Sequence, residues 1–503
     1  MVSVKGFLAR LTEAIGWYPK EMPMAERVLV HKIDLLVLGF ACLAFFTKFL
    51  DVNALTYAYV SGMKEDLNLY GNRLNYINAM YEVGYCIFQI PSNIIITRIP
   101  AQYYLPGAEI LWGLFTLGTA FVQNYKQIMA LRFMVGLGAT ASYVGCTHIV
   151  NSWYRKRELG RRNAIFYISM PLGTMIAGYI QSAAYEHLNH RSGLAGWRWL
   201  FIICAIITLP IAALGVIFFP DVPERTKSRW LTDAEKKLAV TRLAEEGFKP
   251  STGINRTLFK RVFGRWQFYV FVYLLVFRGL GQHGSGVPFT LWLKSQPDKY
   301  TVPQVNNFST ITSAISIVSA VLTAYYSDLR GSRWEVQILG GVITLFADLC
   351  LTIWNIPYGL KFASYILLGL ATGFSPTLIA WTADQLADDL EARAITIATY
   401  NVVGEMSNLV VPLVAWPVTH APEFKGGFIW STCVAGVWTL SLGVPLLLER
   451  RDRQRKARGF KDDLGGIEMY PGADELEGVE ELGSVDSLTK SNDFTEVTEE
   501  KHT

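Results

Sequence analysis

Apolar runs of membrane-crossing length recur along this chain from about residue 35 to residue 448, separated by polar breaks. A helix needs roughly 20 residues to cross about 30 Å of hydrocarbon. On that scale the pattern predicts twelve helical spans, at 33–56, 75–96, 105–122, 128–150, 162–183, 199–219, 267–292, 308–327, 335–354, 362–383, 395–415 and 428–448. They form two groups of six around the one long internal connection, 220–266. The expectation is an all-α membrane protein with two six-helix bundles, 33–219 and 267–448, joined by that linker. A segment 1–32 precedes them and a tail 449–503 follows.

Composition agrees: 51% of residues are hydrophobic and 17% charged, too apolar an average for a water-covered surface. Lys5, Arg10, Lys20, Arg27 and Lys32 precede the first run without a cleavage pattern, so that run reads as an uncleaved helix. All six cysteines fall inside spans, and no disulfide framework is implied. The net charge of +4 matters less than its arrangement. Basic residues gather in alternate connections, most tellingly in the short cluster Arg155-Lys156-Arg157 and Arg161-Arg162, which places both termini and the linker in the cytoplasm. No basic groove or module points to nucleic acid.

Within the linker, Thr232 and Glu235 have capping-box spacing, and Leu231, Leu238 and Leu243 keep partial helical periodicity. A short surface helix follows, serving either as a tether against the bundles or as a regulatory module. Beyond Leu448 the chain is basic, suited to an anionic leaflet. Past Lys461 it turns acidic and polar and is expected to be mostly disordered.

Charges inside hydrocarbon are costly unless paired, drawn to an interface or facing a wet cavity, so their positions map candidate function. Lys48 and Asp51, three apart on one helical face, either lock the bundle as an ion pair or take part in substrate or proton movement, and the two roles can coexist. At ~1.5 Å rise per residue, Glu82 and Lys48 both lie roughly 10 Å below the outer boundary, so they can meet. Gln89 and Asn93 continue the Glu82 face inward. Arg132 opens the fourth span, where it snorkels, pairs with Asp51 or contacts substrate. His148, at the inner end of that span, reads as an interfacial histidine or a proton relay.

In the second half, Arg278 lies midway across its span, too deep to snorkel, as an anion-binding residue or half of a structural ion pair. Gln282 follows four residues later, then His283-Gly-Ser-Gly, which permits irregular backbone. Asn401, Glu405 and Asn408 give the eleventh span a polar face. Glu405, like Glu82, is either a proton carrier or a static partner for a cation. Asp348 suits packing or folding, and Trp381 and Asp384 lie near an inner boundary. The candidates are therefore Lys48, Arg132, Arg278, Gln282 and Asn401 for substrate, and Glu82, Asp51 and Glu405 for proton coupling.

Fixed cations that counter an anion, beside carboxylates that exchange protons as two bundles open alternately, describe a secondary transporter. The chain has no zinc-protease motif, dinucleotide fingerprint or phosphate loop, and no elbow that would constrain a Ser-His-Asp triad. No catalytic residue, cofactor or metal is expected. A membrane-embedded enzyme is the alternative class, favoured only by catalytic polar residues clustered at one membrane face.

These landmarks also carry a resemblance. Lys32-Ile-Asp, Phe49-Leu-Asp, Asn53-Ala-Leu-Thr-Tyr-Ala-Tyr-Val-Ser-Gly-Met-Lys-Glu-Asp-Leu and Gly84-Tyr-Cys-Ile-Phe-Gln-Ile-Pro-Ser-Asn recur in one family. So do Leu131-Arg-Phe, Ser152-Trp-Tyr, Gly193-Leu-Ala-Gly-Trp-Arg-Trp-Leu-Phe-Ile, Thr290-Leu-Trp-Leu-Lys-Ser, Tyr300-Thr-Val-Pro-Gln-Val-Asn-Asn and Ala415-Trp-Pro. From His31 to about Arg450 the chain resembles the fungal anion:cation symporter branch of the major facilitator superfamily, which includes allantoate, pantothenate, biotin and nicotinate permeases. The resemblance implies two six-helix bundles, a plasma-membrane location and proton-coupled uptake of a small carboxylate, with pantothenate or biotin ahead of allantoate. Asp51 and Arg132 match the branch's acidic and basic positions. The chain departs at Val52, commonly basic, at Ala139, often acidic, and at Glu82 and Glu405, usually apolar or small. An uncoupled facilitator, an exporter and a nutrient-sensing transceptor are the alternatives. The expected partners are the carboxylate, protons and membrane lipids, with a monomer as the expected state.

Overall fold

The computed structural model describes residues 18, 22–245, 256–386 and 389–457, and all regular secondary structure among them is helical. The first bundle contains α1 (Met24–Asp66), α2 (Arg73–Arg98), α3 (Ala101–Thr119), α4 (Tyr125–Trp153), α5 (Lys156–His187) and α6 (Gly196–Phe218). The second contains α7 (Trp266–Leu280, then Val287–Lys294), α8 (Val302–Arg330), α9 (Trp334–Ile353), α10 (Tyr358–Gln385), α11 (Leu390–Val414) and α12 (Lys425–Ser441). A further helix runs Gly443–Ala457, and the chain from Glu449 onward is a separate unit. The tail beyond Lys461, expected to be disordered, lies outside the described residues.

Each predicted span finds its helix, and most helices extend past the apolar run because backbone hydrogen bonding continues into the polar boundary. The seventh span differs. The sequence predicts one span over 267–292 with glycines that permit irregular backbone, and the helix stops at Leu280 and resumes at Val287. Gly281, Gly284 and Gly286 weaken the intervening turn, and Pro288, which has no N–H to donate, sits in the first turn of the new helix.

The packing repeats with a shift of six helices. α1 packs on α5, α2 on α4 and α3 on α6; likewise α7 packs on α11, α8 on α10 and α9 on α12. Such an internal repeat is the architecture of a transporter with two opposed halves. Glycine sets the α2–α4 approach: a Cβ at Gly84 would lie 2.3 Å from the Phe133 carbonyl oxygen, and one at Gly136 would lie 2.1 Å from that of Tyr81. Backbones in direct contact fix the rotation of α2 and hence the direction of Glu82. Ile206, Leu214 and Ile217 of α6 and Val318, Val321 and Leu322 of α8 are exposed, an apolar outer face suited to lipid.

The linker helix Asp233–Glu245 begins at the expected capping box: the Thr232 N–H donates to the Glu235 carboxylate at 2.8 Å, and the Glu235 N–H donates to the Thr232 hydroxyl at 3.3 Å. It buries Leu231, Ala239 and Leu243 beside Arg242, whose side chain is only 1% exposed and pairs with Glu158 and Glu26. Arg155 bridges Glu26 and Glu245, and Lys32 meets Glu235 at 2.7 Å. The helix is thereby tied to the ends of α1 and α5.

Hydrogen bonds between the two halves gather at the end away from the linker. Asn75 of α2 donates to the carbonyls of Pro412 and Trp416, each at 2.8 Å, capping carbonyls that the C-terminal turn of α11 leaves free. The Val418 N–H donates to Asn72 at 3.0 Å. α1 bends at Ser61 and Gly62, where φ of 110° at Gly62 suits only glycine. The bend offers the Val60 carbonyl to Lys294 at 2.5 Å and the Ser61 hydroxyl to Asn306 at 2.9 Å.

Candidate functional site

Lys48 of α1 is 5% exposed, and its ammonium stands 4.5 Å from the centre of the Tyr85 ring, 5.4 Å from Phe49 and 5.9 Å from Phe45. Aromatic faces stabilise a cation without neutralising it. Glu405 of α11 and Glu82 of α2 act on it through space, with no contact ion pair to it among the described residues. Glu82 and Glu405 also feel one another. Three of the sequence candidates thus converge, one from each of three helices and from both halves of the molecule. Glu82 keeps one carboxylate oxygen buried and unbonded, and Glu405 accepts from the Asn408 amide at 3.2 Å. Asn401, one turn from Glu405, is half-buried with its amide nitrogen unbonded. Gln89 is buried below Glu82, whereas Asn93 is exposed.

Asp51 and Arg132 meet within the first bundle, and Tyr81 of α2 feels both of them together with Glu82 and Glu405. Arg132 donates to the main-chain oxygen of Asp51 at 3.2 Å and stands over the Phe201 ring of α6 at 5.7 Å. The Asp51 carboxylate accepts from Thr116 of α3 at 3.3 Å, and its other oxygen has no partner. Both residues are almost wholly buried. His148 is exposed.

Arg278 occupies the corresponding interior of the second bundle. It donates to Thr344 of α9 at 3.2 Å and to the Ala371 carbonyl of α10, and its guanidinium stands 5.0 Å from the Trp438 ring. With its amide oxygen turned toward the guanidinium, Gln282 accepts from Arg278 and from Ser375, each at 2.9 Å. Asp348 is fully buried with both oxygens unbonded, and Arg278 acts on it through space. Arg278, Gln282, Thr344 and Thr372 line a small cleft.

Tyr143 of α4, Tyr167 of α5 and Tyr400 of α11 lie within electrostatic reach of each other, and Tyr400 also feels both Glu405 and Arg278. These tyrosines, with Tyr85, are absent from the sequence candidates. Their signal was depth, since tyrosines that merely anchor a helix concentrate at the interfaces. Glu109 was missed as well: it is fully buried on α3 with one oxygen 2.9 Å from the Thr47 hydroxyl.

Known proteins place this architecture. The family model for the Major Facilitator Superfamily matches residues 41–298 and 298–489. The pantothenate transporter liz1 of Schizosaccharomyces pombe is 33% identical over 94% of this chain and 92% of its own length. The vitamin H transporter of Saccharomyces cerevisiae is 31% identical over 89% of this chain and 76% of its own. Among solved structures, the partially occluded inward-open xylose transporter XylE of E. coli superposes with a TM-score of 0.61, covering 81% of this chain and 96% of that one at 15% identity. That likeness concerns the fold.

The chain belongs to the Major Facilitator Superfamily. It is a multi-pass membrane transporter rather than an enzyme, and its relatives include fungal vitamin transporters.

Proposed function

We propose that this transporter takes up a small organic carboxylate, pantothenate before biotin, together with protons, by alternating access across the plasma membrane. What supports the reading is that two carboxylates, Glu82 and Glu405 on the packed helices α2 and α11, one from each half, both act electrostatically on the buried Lys48. With both acids ionised the group carries one excess negative charge and repels an anion. One proton makes it neutral, and two leave the Lys48 charge unopposed for a substrate carboxylate. Anion binding and proton binding therefore favour one another by charge balance. Arg278, Gln282 and Asn401 meet polar groups at the far end of the substrate, while Asp51 with Arg132 forms a second acid–base pair within the first bundle. A monomer contains all of these groups. The pantothenate and vitamin H relatives support the substrate class.

The test is uptake of radiolabelled pantothenate by purified protein in liposomes, challenged with a panel of unlabelled compounds. Pantothenate and biotin are expected to compete, whereas pantothenyl alcohol, which lacks the carboxylate, is expected to fail. Equal competition by the alcohol would remove the anion requirement.

The cytoplasmic placement of both termini and the linker rests on the basic clusters. Impermeant maleimide on intact cells is expected to label Ser192→Cys and spare Asp233→Cys, both exposed positions. The reverse pattern inverts the protein.

A further inference from the structure

We propose that Glu109 is a proton-carrying site of the transport cycle, joined with Asp51 in a two-step ladder along the α1–α3 interface. The proposal rests on the proton-coupled reading above. The Thr47 hydroxyl lies 2.9 Å from a Glu109 carboxyl oxygen and 3.0 Å from the Ala44 carbonyl. One hydroxyl hydrogen cannot serve both. If Glu109 is ionised, Thr47 donates to it and the Ala44 contact lapses. If Glu109 is protonated, it donates to Thr47, which donates onward to Ala44. The same heavy-atom positions thus serve both protonation states, and only the protonated state satisfies every contact. Glu109 is fully buried and its second oxygen has no partner, so its ionised form is poorly compensated.

The ladder's second rung lies farther from the linker. Asp51, one turn from Thr47 on α1, accepts from Thr116, about two turns from Glu109 on α3. Glu109 is eight residues from the linker end of α3 and Thr116 three from its other end, so the two rungs lead from the end away from the linker to the middle of the bundle. The groups facing Glu109 are few. α1 presents Asp51 and α4 the Cys146 thiol. α6 packs Thr208 and Leu209 against Gly113, one turn outward, and α2 reaches α3 through Ser92, which accepts from Tyr104 at 2.7 Å. Among the described residues no cation is bonded to Glu109, which leaves protonation as the way to offset its buried charge.

The test compares wild type, Glu109→Gln and Thr47→Val in liposomes with radiolabelled pantothenate, reading gradient-driven accumulation, counterflow and the dependence of uptake on external pH. In wild type, uptake is expected to fall as external pH rises. Glu109→Gln is expected to lower accumulation about tenfold, keep counterflow within about twofold and flatten the pH dependence. Thr47→Val removes the alternate partner while keeping the shape, and is expected to displace the pH profile with counterflow retained. It decides the matter if Glu109→Gln does not fold. Proton-driven wild-type uptake with unchanged pH profiles in the folded variants would make Glu109 a packing residue and leave the functional reading intact. Wild-type uptake indifferent to the proton gradient would remove the functional reading and this inference together.

Discussion

Glu82→Gln is expected to abolish concentrative uptake while leaving substrate exchange in place. Glutamine keeps the size of the side chain and removes its titration, fixing one of the two acids opposite Lys48 in a neutral form. Without that group one proton can no longer enter with the anion and leave on the other side. Each coupled proton moving down a one-unit pH gradient supplies about 1.4 kcal/mol, roughly a tenfold accumulation. Losing one coupled proton therefore costs about tenfold per pH unit, and losing the only one brings the inside-to-outside ratio to unity. Counterflow, which needs no net proton movement, continues. A structural Glu82 would instead lower folded yield or impair both modes together. Accumulation at the wild-type level in Glu82→Gln would transfer the role to Asp51 or Glu405.

Lys48→Met is expected to cause the largest loss of affinity. Methionine preserves much of the stem against Tyr85, Phe49 and Phe45 and removes the ammonium. Truncating one partner of a buried charge pair typically costs about 2–5 kcal/mol, here a weakening of roughly thirtyfold or more. Equilibrium binding of radiolabelled pantothenate to purified, monodisperse Lys48→Met reads the effect directly. Wild-type affinity in that protein would place the carboxylate elsewhere, with Arg278 the next cation to test.

Depth was legible in the sequence and azimuth was not. Helical rise per residue is fixed, so Lys48 and Glu82 could be set at one level from their distances to the span ends. Their approach then depended on rotation, which the glycine contacts between α2 and α4 determine and a linear pattern does not show. Glu405 reaches the same group from the other half, a relation with no sequence signature. For Arg132 depth left three readings open, an outward-reaching arginine, a partner of Asp51 and a substrate contact, and its rotation turns it onto the Asp51 backbone. The twelve spans followed from hydropathy except at α7, where glycines shown to permit irregular backbone do interrupt the helix. Glu109 had the same signal as Glu82, an acid inside a predicted span, but no neighbouring polar stripe drew attention to it.

The central claim is that anion and proton move together, and the most direct measurement is pantothenate accumulation by wild-type protein in liposomes with the membrane potential clamped at zero. An inward gradient of one pH unit is expected to raise the internal concentration about tenfold above the external for each coupled proton, and a protonophore to return it to equality. Equal internal and external concentrations, with or without the gradient, would contradict proton coupling and leave an uncoupled facilitator.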